Sequence, residues 1–355
     1  MTEAEAPRAN VIGTGLIGGS IAFALREQGW IVSGDDADPD RLAQALELGA
    51  IDTAGLDPAA TITFVATPVA DVAEQVERAL VKTTGVVTDV ASIKGSIASA
   101  VTDSRFVPGH PMAGSEQDGV KGARPELFSG AVWVLTPGKT TAEHAYTHVR
   151  NVVRSLGADV VSLAPDEHDR VVATVSHVPH LTATSLMCLA DDASSEHEVL
   201  LRLAAGGFRD MTRIASGHPG IWPDICVENS TAIAASLTDL IDRLSSIRDR
   251  VVEGDHDAIR TQLVQARAAR QNLPSGIPEG IELAEFRVPI LDRAGEIARL
   301  TTLAPEVNIY DFEIAHSTEG SAGVAVMVVA HGAAEGFATK LREAGYHPAY
   351  RVLNS

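Results

Sequence analysis

Cysteine is nearly absent. The 355 residues contain two, Cys188 and Cys226. Two thiols make no disulfide framework, and their placement is not metal-ligand spacing, so they read as reduced core side chains. Positive charge is also scarce. Lys and Arg number 28 against 47 Asp and Glu, a formal net charge of -19. Such a surface argues against nucleic acid or an anionic membrane as a partner. It also sets a condition, since an anionic substrate needs a local pocket of Arg or Lys. No stretch approaches the roughly 18 apolar residues of a membrane span. The opening Met-Thr-Glu-Ala-Glu-Ala-Pro-Arg is acidic and has no apolar signal-peptide core. The expected setting is the cytoplasm.

Hydrophobic residues make up 45% and charged residues 21%, a globular composition. The length is too great for one ordinary core and implies two or three domains. Residues 8–162 alternate short β-type runs (Asn10–Ile12, Trp30–Ser33, Thr61–Ala66, Gly85–Asp89, Phe106–Pro108 and Ala131–Leu135) with helical patterns such as Ile17–Gln28 and Asp38–Leu48. That alternation predicts a Rossmann-type, doubly wound parallel sheet over residues 1–164. From 165 to 273 the texture is all-helical. Asp166–Ala190 reads as one helix interrupted by Pro179, followed by Glu196–Ala205, Pro219–Val252 and His256–Asn272. Ala232, Ile233, Leu237, Leu240, Ile241 and Leu244 recur at helical spacing, as a core stripe or a dimer interface. Residues 274–282, rich in Pro and Gly, read as a linker. Residues 283–355 read β-α-β-β-α-β, a small α+β module.

Val11-Ile12-Gly13-Thr14-Gly15-Leu16-Ile17-Gly18 gives G-x-G-x-x-G between a strand and a helix. Gly13 permits the tight turn, Gly15 lets backbone approach a pyrophosphate, and Gly18 lets helix and strand pack closely. The acid expected at the end of the second strand is Asp35 or Asp36. Asp36 is chosen because Asp38-Pro39 begins the next helix two residues on. A carboxylate there bonds a ribose 2′-hydroxyl and repels a 2′-phosphate, which favours NAD over NADP. The nearest downstream Arg is Arg41. The expected cofactor set is Gly13, Gly15, Leu16, Ile17, Gly18, Asp36, Thr67 and Ser92.

Three further clusters are odd as structural elements. Asp89-Val90-Ala91-Ser92-Ile93-Lys94-Gly95 lies at a strand end, where open α/β sheets bind ligands. Gly109-His110-Pro111-Met112-Ala113-Gly114-Ser115-Glu116 also lies at a strand end. A His there serves as a base, because its ordinary pKa is near 6.5, or simply fills a loop. The third cluster combines Ser176-His177-Val178-Pro179-His180 with Gly206–Arg213. His177 and His180 share a helix face but have no third ligand, so no metal is expected. Arg209 and Arg213, one turn apart, form either a solvated face or a carboxylate clamp.

In that order, G-H-P-M-A-G-S-E, S-H-V-P-H and F-R-D-M-T-R-I-A resemble the prephenate/arogenate dehydrogenase family over residues 10–272. The resemblance implies a Rossmann-type domain followed by a helical dimerisation domain, and a homodimer. It implies oxidative decarboxylation of prephenate to 4-hydroxyphenylpyruvate with reduction of NAD, a step toward tyrosine. By the same resemblance His110 is the catalytic histidine on the substrate 4-hydroxyl, and Ser92 contacts that hydroxyl and the nicotinamide. Arg213 binds a substrate carboxylate, while Glu116, His177 and Arg209 line or gate the pocket. Arg209 stands where relatives commonly have Lys, and Ala91 where some have Gly. Two other readings stay open: arogenate as substrate, and a non-catalytic regulator binding a dinucleotide and an amino acid. Arg287–Ala298 resembles the opening of an ACT domain, with Ala294 in place of the usual Pro. That implies an amino acid effector such as tyrosine near Asp292, Ala294 and Gly295, or else a purely structural appendage.

Overall fold

Five short apolar runs and one exposed two-residue strand build the first sheet. In the computed structural model, which describes residues 6–114, 117–194, 203–217, 219–271, 281–291, 293–316 and 322–353, the elements begin β1 (Arg8–Ile12), α1 (Leu16–Glu27), β2 (Ile31–Asp35), α2 (Pro39–Glu47) and β3 (Thr53–Ala54). They continue β4 (Ile62–Val65), α3 (Val69–Lys82), β5 (Val86–Asp89), α4 (Gly95–Ala100) and β6 (Phe106–Val107). The strands pair in the order β3-β2-β1-β4-β5-β6, all parallel. Val11, Ile62, Phe64, Val65 and Val87 are fully buried. Near-continuous apolar strands are what a parallel sheet covered on both faces requires. The chain leaves β1 for β2 and β3, then crosses back to β4. The crevice at the carboxyl ends of β1 and β4 is therefore the switch point where ligands bind. Asp38 caps α2 by accepting from Asp40 N–H at 2.9 Å, with Pro39 in the first turn.

The expected strand Phe106–Pro108 is split. Pro108 has no N–H to continue the ladder. Beyond it β7 (Gly109–Pro111) leaves β6 and pairs antiparallel with β8 (Val132–Leu135), which follows two 3₁₀ turns. After α5 (Glu143–Ser155), β9 (Asp159–Ser162) joins β8 in parallel. His110 thus sits within a strand rather than past its end. The short strands β3 and β9 are additions that apolar patterning does not mark, because their residues are mostly exposed.

The helix expected over Asp166–Ala190 runs without a break across Pro179, but its winding changes. α6 (Pro165–Val172) passes into a π-helical turn, Ala173–His177, and then into α7 (Val178–Ser194). Proline removes one ladder bond and crowds the carbonyl four residues back. A wider turn just before it accommodates both effects. Next come α8 (Gly206–Thr212) and α9 (Trp222–Glu228). The expected Pro219–Val252 helix is divided at Asn229, whose side chain is committed elsewhere, and α10 (Ser230–Glu253) starts afresh. α11 (His256–Gln271) follows. Most of the expected helix Glu196–Ala205, and the segment Leu273–Pro278, lie outside the described residues.

The chain divides into two compact units, residues 1–243 and 244–355. The second contains β10 (Leu283–Leu291), α12 (Glu296–Thr302), β11 (Ile309–His316), β12 (Ala322–Ala330), α13 (His331–Glu343) and β13 (Ala349–Leu353). The strands pair antiparallel in the order β11-β12-β10-β13. Alternate residues of β10 (Ala284, Phe286, Val288 and Ile290) are buried in one core with Phe337, Ala338 and Leu341 of α13. That is the period-two pattern of a sheet covered on one face.

Candidate active site

A cleft of about 760 Å³ opens at the switch point. Its walls come from the glycine loop, the ends of β4, β5 and β7, and the helical segment around α7 and α9. Gly13 has φ +91° and lies against the Ala66 backbone. A Cβ at Gly18 would overlap the Gly13 carbonyl oxygen and come within 2.9 Å of Val11 Cγ1. By contrast, a Cβ at Gly15 would meet no described atom within 4 Å. The first and third glycines are thus held by packing, while the second faces open space. The N-terminus of α1 carries no side-chain cap, so its N–H groups can receive an anion. Thr67 lines the cleft, and its buried Oγ1 has no partner among the described residues. An orphaned hydroxyl beside an open glycine and an uncapped helix start fits a dinucleotide.

The two adjacent acids separate cleanly. Asp35 is taken by Arg78 Nη2 at 2.6 Å. Asp36 Oδ2 accepts from Thr14 N–H at 2.7 Å and from the Thr14 hydroxyl at 2.9 Å, and Oδ1 accepts from Asp38 N–H at 2.9 Å. Asp36 is therefore the carboxylate fastened to the glycine loop. Arg41 lines the cleft, with Nε 3.6 Å from Asp38 Oδ2.

Ser92 and His110 line the same cleft. His110 is 8% exposed. Its Nδ1 lies 2.9 Å from His168 Nε2, and His168 Nδ1 lies 2.8 Å from Asp169 Oδ1. The direction of this chain follows from its end. A carboxylate only accepts, so His168 Nδ1 carries a proton and His168 Nε2 is an acceptor. His110 Nδ1 must then donate, which leaves the lone pair on His110 Nε2. The arrangement fixes a histidine tautomer for base duty. Burial, then the electrostatic influence of His168, Lys94 and His177, opposes a second proton on His110 and lowers its pKa well below the ordinary value. The ring is neutral at neutral pH. Burial opposes ionisation of Asp169, but hydrogen bonds from His168, Gly95 N–H and Lys94 N–H outweigh it and lower that carboxyl.

His177 is 1% exposed and does not line the cleft. Its Nδ1 accepts from Asn229 Nδ2 at 3.3 Å, and the same amide donates to Asp169 O at 2.9 Å. Burial pushes His177 down to about 4, against the opposing pull of Asp169. His180, one turn later, is the histidine on the cleft wall. It stacks on Trp222 with ring centroids 3.6 Å apart and an interplanar angle of 8°. Arg213 lines the cleft. Arg209 does not, and its Nε donates to Ala204 O at 3.2 Å on the exposed side of α8. Glu116 lies outside the described residues. So does Asp292, while Ala294 is exposed and Gly295, at φ +84°, begins α12. Among the described residues no group of three or more His, Cys, Asp or Glu is placed to hold a metal ion. No described helix is long and apolar enough to cross a membrane.

His168, Asp169, His180, Trp222 and Asn229 are the site residues that sequence reasoning missed. His180 falls inside a motif already noted, and Trp222 and Asn229 inside the expected helix Pro219–Val252. His168 and Asp169 look like the polar face of an ordinary helix, and only tertiary contact marks them.

A parallel dinucleotide-binding sheet, with a tautomer-fixed histidine beside it in one cleft, defines a dehydrogenase of the nucleotide-dependent class. The chain belongs to the prephenate dehydrogenase family. Residues 21–162 match that family's nucleotide-binding domain and residues 164–265 its dimerization domain. Prephenate dehydrogenase of Bacillus subtilis (strain 168) is 34% identical over 334 residues, covering 88% of this chain and 89% of that protein. Cyclohexadienyl dehydrogenase of Zymomonas mobilis is 30% identical, covering 73% of this chain and 94% of that one. Among solved structures, prephenate dehydrogenase from A. aeolicus in complex with hydroxyphenyl propionate and NAD+ superposes with a TM-score of 0.71 at 28% identity. It covers 77% of this chain and 100% of that one. Synechocystis arogenate dehydrogenase gives 0.66 at 29% identity, covering 75% and 100%.

Proposed function

We propose that this chain oxidatively decarboxylates prephenate to 4-hydroxyphenylpyruvate with NAD as hydride acceptor. The observation that carries this reading is the Asp169–His168–His110 chain, which leaves His110 Nε2 as acceptor in a cleft shared with the glycine loop, Ser92 and Arg213. NAD, when bound, takes a hydride from C4 of the substrate. His110 accepts the proton of the C4 hydroxyl, and the Ser92 hydroxyl steadies that oxygen. As the ketone develops, the ring carboxylate becomes a leaving CO₂ and the ring aromatises. The protein's share is orientation and the base. Arg213 holds a substrate carboxylate, the local cation that so acidic a chain needs. Asp36 receives the adenosine ribose.

One observation favours arogenate as a second reading. Asp224 lines the cleft that Arg213 lines, and a carboxylate suits an ammonium where prephenate carries a ketone. Steady-state rates with prephenate and arogenate, each with NAD and NADP, decide between them. Faster turnover of prephenate with NAD is expected, and a tenfold preference for arogenate or NADP would overturn this assignment. As an enzyme of small metabolites and NAD, the chain belongs in the cytoplasm.

The partner in the assembly is a second copy. Ile241 and Leu244 of α10 are 58% and 52% exposed, although Ile233 of the same stripe is buried, and such a patch calls for another surface. Sedimentation should give a dimer; a monomer at micromolar concentration would refute it. The β-α-β-β-α-β order of the second unit, with a left-handed Gly295 opening α12, supports an ACT-like module that binds tyrosine near Ala294 and Gly295. Calorimetry that detects no aromatic amino acid, together with rates indifferent to tyrosine, would remove this regulatory role.

A further inference from the structure

Asp89 and Lys94 flank the Ser92 loop, and the proposed reaction uses neither. Both side chains are fully buried, and Lys94 Nζ pairs with Asp89 Oδ2. A buried ion pair adds little stability by itself, so its retention here calls for another account. The Asp89 carboxylate makes two more bonds. Oδ2 accepts from Ala91 N–H at 3.0 Å, and Oδ1 accepts from Gly109 N–H at 3.1 Å. Ala91 immediately precedes Ser92, and Gly109 immediately precedes His110. One carboxylate therefore grips the backbone just before each of the two residues at the reaction centre. The approach is close at Gly109, where a Cβ would stand 2.9 Å from Trp133 Nε1 and 3.0 Å from Asp89 O. Lys94 also joins the pair to the histidine relay, because its own N–H donates to Asp169 Oδ1 at 2.8 Å.

We propose that the buried Asp89–Lys94 pair is a positioning clamp: Asp89 fixes the spacing of Ser92 and His110, and Lys94 anchors Asp89 and sets its positive charge beside the histidine relay. The inference rests on His110 being the base. The charged and titratable groups around His110 are Lys94 and Asp89 from the β5–α4 region, His168 and Asp169 from α6, and His177 from the π-helical turn. Arg213, Asp224 and His180 stand elsewhere on the cleft wall. Burial weakens the His110 imidazolium most, then His168, then Lys94.

Two variants separate the clamp from simple structural support. Lys94→Met removes the positive charge. The His110 titration, followed by ¹⁵N NMR on substrate-free protein with His110→Asn assigning the signal, should move to higher pH. The acid limb of kcat/KM should move with it. Asp89→Asn combined with Lys94→Met leaves no unpaired charge, so the fold should survive. It keeps an acceptor for Gly109 N–H but loses the one for Ala91 N–H. Misplacement of a reacting group by about 1 Å costs up to ~10²-fold, so kcat should fall at least about tenfold while the Kd for NAD stays within about twofold. A His110 titration unmoved in Lys94→Met, or a double variant with wild-type kcat, overturns the clamp. The NMR readout needs no substrate and judges the clamp whatever the substrate is. Absence of prephenate turnover by the unmodified protein counts instead against the function proposed above.

Discussion

Asp169→Asn is the most informative single change in the relay. The Asp169 carboxylate accepts three bonds: Oδ1 from His168 Nδ1 and Lys94 N–H, and Oδ2 from Gly95 N–H. An amide has one acceptor oxygen and one donor NH₂. If the oxygen stays on Gly95 N–H, the NH₂ takes the Oδ1 position, faces His168 Nδ1 and turns it into an acceptor, while Lys94 N–H loses its partner. His168 Nε2 then carries the proton and donates to His110 Nδ1. The His110 proton moves to Nε2, so the base presents a donor where an acceptor is required. Loss of a general base costs about 10²–10⁴-fold, or roughly 2.7–5.4 kcal/mol on the barrier. The analogous exchange in serine proteases falls at the upper end of that range. Stopped-flow measurement of the hydride step should show the loss in kcat, with the Kd for NAD unchanged because no cofactor residue is touched. A folded Asp169→Asn protein with kcat within about twofold of the parent would show that the relay does not set the tautomer.

Three further outcomes follow from the same geometry. Arg213→Ala should raise the prephenate KM by the equivalent of ~1.5–3 kcal/mol, the worth of a hydrogen bond to a charged group, whereas Arg209→Ala, at a residue that does not line the cleft, should leave it nearly unchanged; equal effects in steady-state kinetics would contradict the placement of the two. Asp36→Ser should weaken NAD binding and improve use of NADP, because it removes the acid that repels a 2′-phosphate; calorimetry with both coenzymes checks this, and an unchanged ratio counts against Asp36. His110 and His177 both lie below their ordinary pKa in the fold. The unfolded chain then binds more protons than the native one below about pH 6.5. Their stabilising contribution is complete above that pH and is lost as pH falls through the native value, about 4 for His177. Thermal melts should show Tm declining across that window, and a His177→Asn variant with an unaltered decline would exclude His177 as a cause.

Much of the nucleotide half was legible because local rules govern it. The strand, the glycine spacing and the acid after β2 are all set within about thirty positions, although Gly13 is also pressed against the Ala66 backbone at the end of β4. The choice of Asp36 over Asp35 rested on the helix start at Asp38-Pro39, whereas the partner that occupies Asp35 is Arg78, a residue of α3 that no local pattern connects to β2. The catalytic half depended on contacts between distant segments. His110 meets His168 across 58 positions, and α6 by itself shows only an acidic first turn. The pair His177 and His180 illustrates the limit. Both share one helical face by spacing, yet the π-helical turn and Asn229 draw the first into the interior and leave the second on the cleft wall. The second unit was readable throughout its described elements, because period-two burial in β10 and helical periodicity in α12 and α13 agree with their turns.

The central claim is that His110 is the base for an oxidative decarboxylation of prephenate. It is tested most directly by incubating the parent protein and His110→Asn with prephenate and NAD, and following NADH, CO₂ and 4-hydroxyphenylpyruvate together. The account predicts equal amounts of all three products from the parent. It predicts a loss of about 10²–10⁴-fold in kcat for His110→Asn, with NAD affinity retained. Parent-level turnover by His110→Asn, or NADH formed without CO₂, would contradict it.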